Sequence, residues 1–210
     1  MSATPNRLEL LVDVFEQKQQ RALALPDLTP SQLVQAVLQE FRELEYLSDI
    51  PENYVLFKAE DKSQLVDDRP LQEQVAPGSR LVLVETRPTL PEGTRRPSQH
   101  LYLREQTSGK VYKLHWVPAI IGRPDPNQPH DDWIAVNLES YQTGLRVSRR
   151  HAMITETDGQ YFVESMSRNP TLLKTPDGEL IPVGEEKHPL NPGDTIVLER
   201  SSISLKFIVR

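Results

Sequence analysis

The chain has 210 residues, with 24 Lys and Arg against 30 Asp and Glu, a formal net charge of −6, 37% hydrophobic residues and no cysteine. That length holds one or two domains, the acidic balance speaks against a general binder of nucleic-acid backbones, and the lack of cysteine excludes disulfides, thiolate metal sites and thiol nucleophiles. No apolar run approaches the ~20 residues of a membrane span, and the N-terminus lacks a secretory pattern, so a cytoplasmic protein is expected.

In chain order, Leu8 to Phe15 alternates apolar and polar side chains, the period of a half-buried strand. Gln17–Gln20 reads as a polar turn into a second short run, Arg21 to Leu25. Thr29-Pro30-Ser31-Gln32 starts a helix: Thr29 caps, Pro30 takes the first helical position where no N–H is missed, and Gln32 closes a capping box. Leu33, Val34, Val37, Leu38, Phe41 and Leu44 recur at three- and four-residue steps, giving one apolar face. Tyr54–Ala59 and Arg80–Glu85 read as two further strands.

Strand, strand, helix, strand, strand is a β-grasp layout. The stretch Gln64 to Leu71, with Val75, Pro77-Gly78-Ser79 and Leu81–Val84, resembles the C-terminal half of ubiquitin-like domains. The resemblance implies an α+β ubiquitin-like domain over residues 1–87 that docks a second protein. Glu85-Thr86-Arg87-Pro88 continues into further chain, with no free diglycine tail for conjugation.

Pro88, Pro91, Gly93 and Pro97 punctuate a stretch without apolar periodicity, so residues 88–100 read as a Pro-rich linker. The charge balance shifts there: nine Lys and Arg face fifteen Asp and Glu before Pro88, and fifteen face fifteen after it. Arg95-Arg96-Pro97-Ser98 has the form of a basophilic-kinase target.

From Leu101 onward, short apolar runs separated by Pro, Gly, Asp and Asn predict an all-β domain of eight to eleven strands, naturally a β-sandwich. Asp158-Gly159 and Asp177-Gly178 suit tight hairpin turns. Three loop clusters stand out: Ile121-Gly122-Arg123, Val147-Ser148-Arg149-Arg150-His151, and Ser167-Arg168-Asn169-Pro170-Thr171. In this order, and with the later Leu190-Asn191-Pro192-Gly193-Asp194 turn, the region 101–210 resembles the forkhead-associated (FHA) domain family. The family's signature is Gly-Arg, then Ser-x-x-His, then Asn-Gly.

The resemblance implies recognition of phosphothreonine by loops at one end of the sandwich. Arg123 and Arg149 can offer forked donors to a phosphate, Ser148 a compact hydroxyl and Arg168 a further contact. Asn169, carrying a donor and an acceptor, pairs with the peptide backbone. Gly122, His151 and Thr171 take scaffold roles. Pro170 departs from the family's glycine; it lacks an N–H and biases Asn169 toward extended backbone.

No catalytic set is expected, because His151 has no acidic orienter or oxyanion-hole pattern beside Ser148. His100, His115, His130 and His188 lack metal-ligand spacing, and Asp125, Asp131 and Asp132 read as a solvated loop, so neither metal nor cofactor is expected. The expected function is a non-catalytic signalling adaptor. Its FHA domain binds a phosphothreonine-bearing protein of a Ser/Thr kinase pathway, and its ubiquitin-like domain binds a second protein. The alternative is a phosphate-independent structural subunit of a larger assembly.

Overall fold

The computed structural model describes residues 7–210. The chain divides into two compact units, Met1–Arg87 and Pro88–Arg210.

In the first unit, β1 (Leu8–Val14) and β2 (Gln17–Ala24) form an antiparallel hairpin with Val14 opposite Gln17. The turn is therefore Phe15-Glu16, with Phe15 left-handed at φ 53°, and the polar run Gln17–Gln20 is strand. This corrects the sequence expectation. As an edge strand, β2 exposes much of its surface, so burial imposes no full apolar alternation on it.

Helix α1 (Pro30–Glu40) begins at the expected capping box: Gln32 N–H donates to Thr29 Oγ1 at 3.3 Å and Thr29 N–H to Gln32 Oε1 at 2.9 Å. It buries Leu33, Val34, Val37 and Leu38, while Phe41 and Leu44 pack on the core from beyond its end. Strand β3 (Tyr54–Lys58), the one-turn helix α2 (Leu71–Gln74) and β4 (Arg80–Glu85) complete the unit. The sheet order is β2-β1-β4-β3, with β1 and β4 parallel at the centre. Buried Asp13 accepts from Arg80 Nε at 3.1 Å and Nη2 at 2.6 Å. Chiefly through this bond, its carboxyl is held below the usual carboxylate range.

The second unit is all-β. Its strands are β5 (Leu101–Glu105), β6 (Val111–Leu114), β7 (Ala119–Gly122), β8 (Ile134–Asn137), β9 (Arg150–Thr157) and β10 (Gln160–Ser165). They continue with β11 (Thr171–Lys174), β12 (Leu180–Val183), β13 (His188–Pro189), β14 (Thr195–Leu198) and β15 (Ile203–Val209). One sheet runs β13-β10-β9-β7-β8 and the other β12-β11-β14-β15-β5-β6. Ile121, Ala152, Ile154 and Val163 of the first share a buried core with Leu103, Leu173, Ile196, Leu205 and Phe207 of the second.

Strands β11 and β12 carried no clear sequence signal. They are short, and β12 contains Pro182, tolerated because β12 lies at a sheet edge where a missing N–H is cheap. Asp158 (φ 51°) and Gly159 (φ 76°) turn β9 into β10, as expected of the dipeptide. In the late turn, buried Asp194 accepts the Asn191 N–H at 2.7 Å.

Residues 88–100 belong to the second unit, and 92–98 are anchored to its surface, which corrects their reading as a loose linker. Arg95 and Val117 exchange both backbone hydrogen bonds at 2.9 Å, and Trp133 Nε1 donates to the Glu92 carbonyl at 2.9 Å. Arg95 pairs with Glu156 at 2.9 Å, and that carboxylate, only 2% exposed, also accepts from the Ser98 N–H. Arg96 donates to the carbonyls of Pro88 and His115. Polar anchors hold this strap, and polar anchors leave no periodicity to read. No helix among the described residues is long and apolar enough to cross a membrane.

Candidate functional site

The loops at one end of the second unit converge where β7 meets β9. The two strands pair regularly to Ile121 opposite Ala152, and then Gly122 faces Arg150. Strand β9 thus carries one extra residue, His151, in a bulge that re-aims what precedes it. A Cβ at Gly122 would overlap the Arg149 carbonyl oxygen and lie 2.8 Å from the Arg149 carbonyl carbon. The close approach of two backbones, not a turn, is what requires glycine there.

That approach sets Arg123 beside the Ser148-Arg149 loop. The Arg123 N–H donates to the Arg149 carbonyl at 3.1 Å, and its Nε donates to the Val147 carbonyl at 2.6 Å. The side chain is thereby aimed, and its two terminal nitrogens have no hydrogen-bond or ion-pair partner among the described residues. Arg149 is 58% exposed, with Nε 2.7 Å from Asp125 Oδ2. Arg150, 11% exposed at its side chain, is a structural clasp. It donates to the carbonyls of Pro129 (3.1 Å) and Arg149 (3.0 Å) and pairs with Asp131 at 3.3 Å. Asp131 also accepts the Asp125 N–H at 2.6 Å. Asp125 and Asp131 are therefore counter-charges of the arginine loop rather than solvated loop residues. Among the described residues no group of three or more His, Asp or Glu is placed to hold a metal ion.

Ser148 and Asn169 meet. Asn169 Nδ2 donates to Ser148 Oγ at 2.9 Å, Ser148 Oγ lies 2.6 Å from Ser167 Oγ, and Ser167 Oγ accepts the Asn169 N–H at 3.0 Å. Pro170 does not displace Asn169: an extended backbone at that position is compatible with this three-residue cluster, and Asn169 is not left-handed. Thr171 is buried at the start of β11, its hydroxyl 3.3 Å from Ser165 Oγ.

His151 is fully buried, and its Nδ1 accepts the Ser148 N–H at 3.2 Å. Burial pushes its pKa down to about 4, with the Pro170 carbonyl working weakly against this. The ring is neutral near pH 7, with its proton on Nε2, which closes no full hydrogen bond. A buried neutral ring thus holds the Ser148 backbone from within the domain.

Arg123, Ser148, Arg149 and Asn169 line one open depression of about 430 Å³, together with Arg146 and Arg150. Its lining includes four arginines and no Asp or Glu. Arg168 is exposed and is not part of that lining, so the structure does not bring it to the cluster. Sequence reasoning missed Arg146 and Arg150; both are loop arginines whose type alone carries no placement. Guanidinium forks, a hydroxyl and an amide around a concavity free of carboxylates have the chemistry to accept a multivalent oxyanion.

Residues 119–199 match the FHA domain family. Among solved structures, the chain is similar to the FHA domain of human APLF in complex with an XRCC1 bisphospho peptide. The identity is 24%, the coverage 52% of this chain and 97% of that one, and the TM-score 0.40. It is similar to Mycobacterium tuberculosis EmbR in complex with a low affinity phosphopeptide, at 27% identity, 58% and 26% coverage and a TM-score of 0.40. A third is the FhaA FHA domain complexed with the intracellular domain of Rv3910, at 27% identity, 52% and 99% coverage and a TM-score of 0.37. No curated protein sequence matches the chain.

Proposed function

We propose that the protein is a non-catalytic signalling adaptor that binds phosphothreonine-bearing proteins of a Ser/Thr kinase pathway through its FHA domain. The observation that carries this reading is the depression lined by Arg123, Ser148, Arg149 and Asn169 with no carboxylate in its wall. A phosphate monoester brings about −1.5 to −2 charges and three acceptor oxygens near neutral pH. Arg123 and Arg149 meet those oxygens with forked donors and Ser148 with its hydroxyl. Asn169, held against Ser148, offers its remaining amide valences to the peptide backbone. Gly122, His151 and Thr171 hold the loops. A purely structural sandwich has no use for aimed arginines around an open concavity, which speaks against the structural-subunit alternative.

The first unit, residues 1–87, is a ubiquitin-like β-grasp domain in this reading and docks a second protein. Its support is the sheet order β2-β1-β4-β3 with a parallel central pair, joined by a chain that includes α1. Residues 101–210 form the FHA domain, with 88–100 as its strap, and the protein acts in the cytoplasm. A phosphopeptide-library screen with the full chain tests the site. Phosphothreonine sequences are enriched by the parent and lost with Arg123→Ala; enrichment indifferent to phosphate overturns the reading.

A further inference from the structure

Ser98 closes the strap that crosses the second unit. Its N–H donates to both carboxylate oxygens of Glu156, at 3.3 and 3.2 Å, and its Oγ lies 3.2 Å from the Tyr161 hydroxyl. Tyr161 is buried, its ring edge-on to Phe207 in the core of the sandwich. Ser98 itself is exposed. Thr94, the other hydroxyl residue of the strap, is half-buried, and its Oγ1 donates to the Pro91 carbonyl at 2.7 Å.

Glu156 carries the clasp. Its carboxylate is 2% exposed, and among the described residues its ion-pair partner is Arg95, at 2.9 Å. Arg95 also donates to the Glu156 carbonyl, and Arg96 to the carbonyls of Pro88 and His115. In the sequence the same two arginines stand three and two residues before Ser98, the spacing of a basophilic-kinase target. A closed strap withholds both guanidinium groups, whereas an opened one offers them together with a free hydroxyl. None of these residues lines the arginine depression.

We propose that Ser98 is a phosphorylation site for an arginine-directed Ser/Thr kinase, and that its phosphate holds the strap open. The kinase transfers the terminal phosphoryl group of a nucleoside triphosphate to Ser98 Oγ. The Oγ–P bond forms as the bond from that phosphorus to its bridging oxygen breaks; the nucleoside diphosphate leaves, and the hydroxyl proton passes to the kinase and on to water. The product sets about −1.5 to −2 charges on the residue whose N–H bonds the Glu156 carboxylate. Like charges at that range repel. The phosphate also draws Arg95 and Arg96 to itself, with three strong acceptors for their forks. Glu156 is left without its counter-charge in a nearly closed setting, the costly outcome of breaking a buried ion pair. Residues 92–98 then leave the sandwich, and 88–100 becomes free connecting chain.

The test incubates the full chain with ATP and the catalytic subunit of cyclic-AMP-dependent protein kinase, maps the phosphate by mass spectrometry and follows amide exchange. Arg95 and Val117, whose N–H groups bond each other's carbonyls, report strap closure. Phosphate is expected on Ser98, and in the phosphorylated chain both amides are expected to exchange at least about tenfold faster. Ser98→Ala, which keeps the N–H to Glu156, is expected to exchange as the parent does after the same treatment. Glu156→Gln, shown by its melting curve to be folded, removes the charge that clasps Arg95 and is expected to take phosphate about tenfold faster than the parent. Absence of phosphate on Ser98 in both chains overturns the modification site. Phosphate on Ser98 with the Arg95 and Val117 amides as slow as before overturns the release of the strap. Equal rates of phosphorylation in the two chains overturn the part assigned to Glu156.

Discussion

Arg123 combines a spent nitrogen and two free ones. With Nε committed to the Val147 carbonyl at 2.6 Å, its terminal nitrogens are preorganised for a ligand. Arg123→Ala therefore removes a charge-assisted donor pair and is expected to cost about 2–3 kcal/mol of phosphopeptide affinity, about 30- to 150-fold. Arg123→Lys recovers only part, because a point charge has no fork. Titration of the folded variants reads both, and parent-like binding by Arg123→Ala would displace the site. His151 gives a different signature. Its folded pKa of about 4 lies below the 6.5 of the free side chain, so between those values the unfolded chain takes a proton that the folded chain refuses. Stability then falls as pH drops from about 6.5 to about 4, by at most about 3 kcal/mol from this residue. His115, also pushed to about 4, first by burial and then by Lys113 and Arg96, acts in the same direction. Urea unfolding across this range is expected to show a shallower pH dependence for His151→Gln than for the parent; identical slopes would contradict the buried neutral ring. The sequence brought Gly122, Arg123, Ser148, Arg149, His151 and Asn169 into view through the spacing of the loop motifs, and the depression gathers Arg123, Ser148, Arg149 and Asn169. Arg146 and Arg150 were not legible, because a loop arginine outside such a motif reads alike whether it clasps backbone, lines a hollow or faces water.

Elements with a periodic or capping signal were legible at their starts to within a residue or two, whereas the helical period ran on through Phe41 and Leu44 past the end of α1 at Glu40. The Thr29–Gln32 capping box sets the start of α1, and Asp158-Gly159 sets the β9–β10 turn. Elements whose cause is long-range were not. Strand β2 starts at Gln17 because Phe15 turns left-handed and the edge position tolerates polar residues, neither of which local pattern declares. The strap is the clearest case: composition gave a linker, whereas Glu156, distant in sequence, holds Arg95 and Ser98. This also ties up Arg95 and Arg96 of the basophilic-kinase pattern through their own bonds to the sandwich. Glu156→Ala removes two of the strap's anchors while leaving its bridge to Val117. Amide exchange over residues 92–98 is expected to quicken about tenfold, for a lost local stabilisation near 1.4 kcal/mol. Exchange as slow as in the parent would show that backbone and Trp133 contacts alone hold the strap.

At the scale of the whole molecule, the chain's net charge of −6 falls in the sequence before Pro88, and the residues from Pro88 onward balance at zero. A positive concavity on a neutral domain favours a discrete anion over a polyanion. The sandwich was legible from strand spacing, and its match to the FHA domain family from the order of three loops, which fall within the matched residues 119–199. The two-unit division showed as a change in composition at Pro88, although the segment after it packs where a linker was expected. In the function proposed above, the Arg123–Ser148–Arg149 depression reads phosphate on threonine. Isothermal calorimetry of the full chain with a phosphothreonine peptide taken from the library screen, and with its unphosphorylated twin, tests it most directly. One peptide is expected to bind per chain, with affinity lost by at least about 30-fold on removing the phosphate. Equal affinity for the two peptides would contradict it.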